Sequence, residues 1–344
     1  MFIVRFTSGL GNQMFQYAFC LLLKKLYPEV SVKADLTWFY ANNDHHGYEL
    51  YRIFGSGGQA MTSETGKAKE GGFCLEEASK NEIFRVTGLI PNVMATREMV
   101  SGNPNPGNHS RNAAKRFEGF RRYPNRILRE FSGKKREPYI IDAFTESLTR
   151  ERLEALDSSE DYYFIGFFTE EELFKPVLSE ARRAFAFPAF EDEQNLSLKY
   201  EILSTNSVSI HVRRGDYVTT YRDMFKTLSR EYYEKAIRMI CEQTGLSGDS
   251  LRFFIFSDDP GFVEAEFGYI DNKKIVANNT GEQSFRDMQL MSLCRHNIIA
   301  NSTFSQWAAL LNENTGHLTI YPRAYLKDRD NEIKTISGWL MCDE

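Results

Sequence analysis

Apolar positions along this chain fall into short, nearly unbroken runs separated by helical spacing. Phe2-Ile3-Val4-Arg5-Phe6 reads as a strand, Thr7-Ser8-Gly9-Leu10-Gly11-Asn12 as a turn, and residues from about 13 to 26 as a helix that Pro28 ends. Strand, turn and helix in that order open an α/β unit. Residues 30–34 predict the next strand, whereas 38–58 and 66–72, rich in Gly, Asn and His, read as loop with short helical pieces.

Beyond Pro188 the alternation becomes regular. Apolar runs at 208–212, 251–256, 274–277, 297–300 and 318–321 predict short buried strands, and helices are expected at 230–244 (closed by Gly245), 284–296 and 304–313. Such alternation predicts a parallel sheet with helices on both faces, whose ligands bind beyond the C-terminal strand ends. With 344 residues, two domains are expected at roughly 100–200 residues each. The boundary is placed at 187/188.

Composition narrows the class. No apolar run approaches the roughly 18–20 residues of a spanning helix, and the N-terminus lacks a basic n-region and cleavage site, so a cytoplasmic protein is expected rather than a secreted one. Cys20, Cys74, Cys241, Cys294 and Cys342 show no CxxC spacing, so neither a disulfide framework nor a zinc site is predicted. The balance of 42 Lys+Arg against 47 Asp+Glu, net -5, argues against nucleic acid as a partner. Charges are nevertheless blocked: residues 111–136 are almost all basic and 137–172 almost all acidic. Two solvated faces that pair with each other are the expectation. The rival is a basic surface for an anionic membrane or a phosphorylated glycan carrier.

The strand ends carry the chemistry. Val208-Ser209-Ile210-His211-Val212-Arg213-Arg214-Gly215-Asp216-Tyr217 delivers an imidazole, two guanidiniums and a carboxylate from one apolar strand. Adjacent arginines are costly unless an anion joins them: either Asp216 within the chain, or a phosphate on one arginine while Asp216 holds the other. Gly215 suits close backbone approach or positive φ. Phe253-Phe254-Ile255-Phe256 ends in Ser257-Asp258-Asp259-Pro260, where Asp258 either contacts a base or ribose or caps the next turn. Ile298-Ile299-Ala300 runs into Asn301-Ser302-Thr303-Phe304-Ser305-Gln306-Trp307, a hydroxyl cluster at a helix start and so a phosphate site. The N-terminal Gly9-Leu10-Gly11-Asn12-Gln13-Met14 is a weak dinucleotide match, because Met14 takes the third glycine position. It reads instead as a turn facing a sugar or pyrophosphate.

Taken together, Gly9-Leu10-Gly11-Asn12-Gln13-Met14-Phe15-Gln16-Tyr17-Ala18, His211-Val212-Arg213-Arg214-Gly215-Asp216-Tyr217 and Ile299-Ala300-Asn301-Ser302-Thr303-Phe304-Ser305 resemble the bacterial-type α-1,2-fucosyltransferases of glycosyltransferase family 11. His46-Gly47-Tyr48-Glu49-Leu50 and Asp287-Met288-Gln289-Leu290-Met291-Ser292 add to the match. The resemblance implies a GT-B-like fold of two Rossmann-like α/β domains facing across a cleft, with 1–187 on the acceptor side and 188–344 binding GDP-fucose. It implies inverting, metal-independent transfer of L-fucose from GDP-β-L-fucose to the 2-OH of a terminal β-galactoside in glycan or surface polysaccharide synthesis. GDP-fucose is then a co-substrate and no cofactor is needed. Peripheral contact with a membrane-bound glycolipid acceptor is compatible with this.

Residue by residue, the resemblance makes Arg213 the β-phosphate ligand joined by Ser305, and His211 and Asp258 nucleoside contacts. Asn301, Ser302 and Thr303 belong to the donor site, with Asn12 and Gly11 as donor-binding residues in the other domain. Arg213, Asp216 and His211 form the catalytic set, Asp216 as candidate base. Gln306 stands where many relatives carry Trp. Four alternatives remain: transfer with another linkage or acceptor, a non-catalytic sugar-nucleotide-binding protein, a protein O-fucosyltransferase, against which the absent signal and unpaired cysteines speak, and a metal-dependent GT-A enzyme using Asp328-Arg329-Asp330, which reads better as a polar turn.

Overall fold

The computed structural model describes residues 1–42, 46–55, 73–89, 139–324 and 336–343, and the basic block 111–136 and Asp328-Arg329-Asp330 lie outside them. The chain divides into two compact units, Met1–Ala186 and Phe187–Glu344.

In the first unit, β1 (Phe2–Arg5), β2 (Val32–Asp35), β3 (Glu76–Glu77), β4 (Tyr139–Asp142) and β5 (Tyr162–Ile165) form a parallel sheet in the order β3-β2-β1-β5-β4. Phe2, Ile3 and Val4 are wholly buried because the central strand is covered on both faces: helix Leu10–Leu26, itself buried around most of its circumference, lies on one, and Ile3 on the other packs against Ala78, Ile83 and Val86. That helix starts before residue 13: Gly9 is its extended N-cap, and the amides of Asn12 and Gln13 both reach the Gly9 carbonyl, at 3.0 and 3.1 Å. The expected acidic face at 137–172 is interrupted by β5, four buried residues within the run Tyr162-Tyr163-Phe164-Ile165.

In the second unit, β6 (Ser207–Val212), β7 (Arg252–Ser257), β8 (Lys273–Val276), β9 (His296–Ile298), β10 (Thr319–Pro322) and β11 (Leu340–Cys342) are all parallel, in the order β11-β10-β9-β6-β7-β8. Val208, Ile210 and Val212 pack against Tyr232, Tyr233, Ala236 and Ile240 of helix Arg230–Thr244. Each buried Val or Ile side chain here contributes about 1.5–3 kcal/mol. Gly245 ends that helix in the left-handed region, φ 69, which costs glycine nothing. Helix Phe285–Leu293 stops earlier than 296 because Cys294 is already extended and leads into β9.

The strand order decides where a ligand belongs. From β6 the chain winds outward through β7 and β8, then returns to the other side of β6 for β9, β10 and β11. The direction reverses between β6 and β9, and the crevice outside their C-terminal ends is the binding position of a doubly wound sheet. By the same logic the first sheet reverses between β1 and β5. Each unit by itself therefore has the Rossmann-like α/β architecture that a GT-B-like enzyme requires. Among the described residues no helix is long and apolar enough to cross a membrane.

Candidate active site

At the β6 exit, Arg213 is gripped from two sides: one terminal nitrogen lies 2.7 Å from Asp216 and the other 2.8 Å from Asp258. Burial works against its charge, but Asp258 and Asp216 more than offset this and hold its pKa above the ordinary arginine value. Arg214 goes elsewhere, to Asp259 at 3.2 Å, with its guanidinium 3.5 Å from the Phe262 ring centroid. Of the two arrangements the sequence left open, the one with Asp216 on the second arginine is corrected: Asp216 holds Arg213.

Asp258 is neither a helix cap nor a free nucleoside contact. One oxygen takes Arg213 and the other accepts the Arg214 backbone N–H at 2.8 Å, while Asp259 caps helix Pro260–Glu266 through the Phe262 amide at 3.1 Å. Gly215 serves this contact. A Cβ there would stand 2.6 Å from an Asp258 carboxylate oxygen, so close approach rather than positive φ demands glycine.

Beyond β9, Ser302 is the N-cap of helix Thr303–Leu310, accepting weakly from the Phe304 amide at 3.4 Å. Thr303 opens the helix and is half-buried. Ser305 departs from expectation: it is fully buried and its hydroxyl is tied to the backbone of Ala300 and Ser302, at 3.2 Å from the Ala300 amide and from the Ser302 carbonyl. It shapes the turn from within. Asn301 is also structural in its contacts, donating to the Lys226 carbonyl at 2.7 Å while its own carbonyl accepts the Tyr217 hydroxyl at 2.9 Å. The amides of the helix's first turn, on the strand next to Arg213, supply the positive end of the helix dipole.

His211 sits under this edge, 6% exposed, with Nδ1 unpartnered and its ring 5.7 Å from that of Phe304. Burial, against the pull of Asp258, brings its pKa down to about 4. At neutral pH it is an uncharged imidazole, suited to a hydrogen bond. Gln306, 3% exposed, also carries an unpartnered Oε1.

Sequence reasoning used Asp287 only as part of the family resemblance and gave it no role. It accepts from Asn279 at 2.8 Å, in a network with Asn195 beyond the end of β8, and burial lifts its pKa to about 7. The Asn278-Asn279 pair following a predicted strand was the available signal. Among the described residues no three His, Cys, Asp or Glu side chains come together as metal ligands.

In the first unit, the glycine turn after β1 is bolted down by two buried glutamines. Gln13 donates to the carbonyls of Ser8 at 2.8 Å and Gly47 at 2.9 Å and accepts the Glu49 amide at 2.9 Å. Gln16 accepts the Thr7 amide at 3.1 Å and donates to the Gly166 carbonyl, after β5, at 3.0 Å. Ser8, at φ 66, and Phe168, at φ 57, hold left-handed backbone flanking this edge. Glu49, 3% exposed, accepts the Leu10 amide at the helix start and pairs with Arg52 at 2.8 Å. Burial outweighs Arg52 and raises its pKa to about 7. Gly11 is buried in the helix's first turn, and Asn12, beside it and half-buried, keeps an unpartnered Oδ1. Of the two polar residues in this turn, Gln13 is consumed internally and Asn12 retains hydrogen-bonding capacity.

Comparison with known proteins bears on the family. The chain is similar to an O-antigen biosynthesis glycosyltransferase (WbnK) of Escherichia coli, 27% identical across 97% of this chain and 98% of that one. An α-1,2-colitosyltransferase of Escherichia coli is 29% identical across 94% and 92%. A bovine galactoside 2-α-L-fucosyltransferase (SEC1) is 32% identical over only 33% of this chain and 30% of its own. The family model for glycosyl transferase family 11 matches residues 139–340, which span β4 and β5 of the first unit and β6 to β10 of the second and end at the start of β11. With that match, and relatives from bacteria aligned along nearly its whole length, the chain belongs to glycosyltransferase family 11, in its bacterial type.

Proposed function

We propose that the protein transfers L-fucose from GDP-β-L-fucose to the 2-OH of a terminal β-galactoside, with inversion and without a metal cofactor. The observation that carries this reading is Arg213, fixed by two carboxylates at the turning point of a doubly wound sheet, beside the helix start at Ser302. The acceptor oxygen attacks the anomeric carbon from the face opposite GDP, and the bond to the β-phosphate breaks with its electron pair leaving on GDP. The acceptor proton passes to a base on the acceptor's side. Negative charge grows on the departing phosphate, where a fixed guanidinium and helix N–H groups stabilise it without reorganising.

This geometry speaks against Asp216 as the base. An inverting base stands across the sugar from the leaving group, and a carboxylate on the phosphate-binding arginine is on the leaving group's side. His211, uncharged, suits a hydrogen bond to the donor.

A second reading has support in the relative named as a colitosyltransferase. Colitose is fucose without its 3-hydroxyl, so a site that hydrogen-bonds this hydroxyl rejects GDP-colitose strongly and one that merely surrounds it does not. The test is transfer from GDP-fucose and GDP-colitose, in excess EDTA, to lactose, N-acetyllactosamine and lacto-N-biose, with linkage and anomer read by NMR. An α-1,2-fucosyl product supports the proposal. Strict Mn²⁺ dependence or a preference for UDP-sugars defeats it.

A further inference from the structure

Arg213 has one positive charge and two carboxylates upon it, so the group it forms with Asp216 and Asp258 carries a net negative charge before any phosphate arrives. The neighbouring Arg214–Asp259 pair is neutral and changes nothing. A diphosphate brings further negative charge to the same guanidinium, and like charges at this range are costly. One carboxylate must yield, and the two are not held alike. Asp258 is fastened by Arg213 and by the Arg214 N–H, with the Gly215 backbone packed against it. Asp216 contacts Arg213 at 2.7 Å from a four-residue helix, Gly215–Val218. Both are about a quarter exposed, at 21% for Asp216 and 26% for Asp258, so water can solvate whichever is released.

We infer that Asp216 is an intramolecular occupant of the phosphate site, which the donor displaces from Arg213 and which returns to Arg213 as GDP leaves. This inference rests on the donor reading above. Asp258 is the permanent positioner of the arginine and Asp216 the exchangeable partner. The exchange has a use at the end of the cycle. Breaking the sugar–phosphate bond leaves GDP with more charge at its β-phosphate than the donor had, so GDP binds a bare guanidinium more strongly than the donor does. A carboxylate waiting for the same nitrogen offsets this and speeds product release.

The experiment is GDP binding by isothermal titration calorimetry to the full chain and to its Asp216→Asn and Asp258→Asn variants, with GDP inhibition of transfer measured in parallel. Asn keeps the size and removes the charge. For Asp216→Asn the expected result is GDP binding tighter by about tenfold, roughly 1.4 kcal/mol, a lower inhibition constant for GDP and a reduced kcat. Asp258→Asn is expected to weaken GDP binding, since Arg213 loses its fixed partner. A merely structural role for Asp216 predicts weaker binding in both variants. Wild-type GDP binding with equal or weaker binding by Asp216→Asn overturns the exchange and leaves the donor reading standing. Failure of the wild type to bind GDP takes down the donor reading and the exchange with it.

Discussion

Each unit brings a carboxyl group to its sheet's turning point, and the two units differ in how it is kept. In the first, Glu49 lies on the Leu10 amide and Arg52, almost without exposure, sealed by the loops that Gln13 and Gln16 bind together. In the second, Asp216 and Asp258 lie on Arg213 at an edge that water reaches. The same motif, a carboxyl group at the strand ends of an α/β sheet, is closed off by burial in the first unit and open to water in the second. A helix start alone therefore says little about ligand binding until the chain's own carboxylates have been placed.

The comparison breaks most visibly at Arg213. Arg213→Ala is expected to lower transfer by about 10²–10³ with circular dichroism and melting close to wild type. Equal activity in the variant would remove the second edge from the chemistry altogether. Next in size is Gly215→Ala. The new methyl meets Asp258 at 2.6 Å, turns that carboxylate and lets Arg213 drift, and misplacement of this kind costs up to about 10² in rate. Steady-state kinetics beside Asp258→Asn, which loosens the same arginine, tests this: a wild-type rate in Gly215→Ala would refute the close-contact argument.

The sealed site is read through pH. Glu49 titrates near 4.5 when unfolded and at about 7 in the fold. The folded state thus keeps a proton that the unfolded chain gives up, and the Glu49 contribution falls as pH rises from 4.5 to 7, then levels. His211, lowered from 6.5 to about 4, works in the opposite sense between those values. The difference between Glu49→Gln and wild type isolates the first: the variant should gain on wild type through that window, by no more than about 1.4 kcal/mol per pH unit. Chemical denaturation at several pH values measures it, and a constant difference would mean the carboxyl is not strained by burial. Smallest is Ser302→Ala, whose long cap bond at 3.4 Å predicts a loss of about 0.5–1 kcal/mol in stability. A larger fall in donor affinity than in melting temperature would mean Ser302 also meets the ligand.

Much of the second sheet was legible because buried parallel strands are continuous apolar runs, as Val208, Ile210 and Phe253-Phe254-Ile255-Phe256 show. The first unit was harder. β5 is flanked by the acidic residues of the 137–172 block, and Tyr162-Tyr163-Phe164-Ile165 was the clue within it. At the site, residue types were readable and partnerships were not. Asp216, Asp258 and Asp259 all end up near two adjacent arginines, and only the path of the chain as it leaves β6 and β7 decides who pairs with whom. Ser305 looked like a ligand hydroxyl because it sits in a cluster, yet its direction is set by the carbonyls and amide of its own turn.

The glutamine bonds of the first unit also set how its loops breathe. Loop amides usually trade their hydrogens with solvent early, through small local openings. The Thr7 and Glu49 amides are instead held by the buried side chains of Gln16 and Gln13. Their deuterium uptake should keep pace with the strands they adjoin, making the glycine-turn edge part of the sheet's cooperative core.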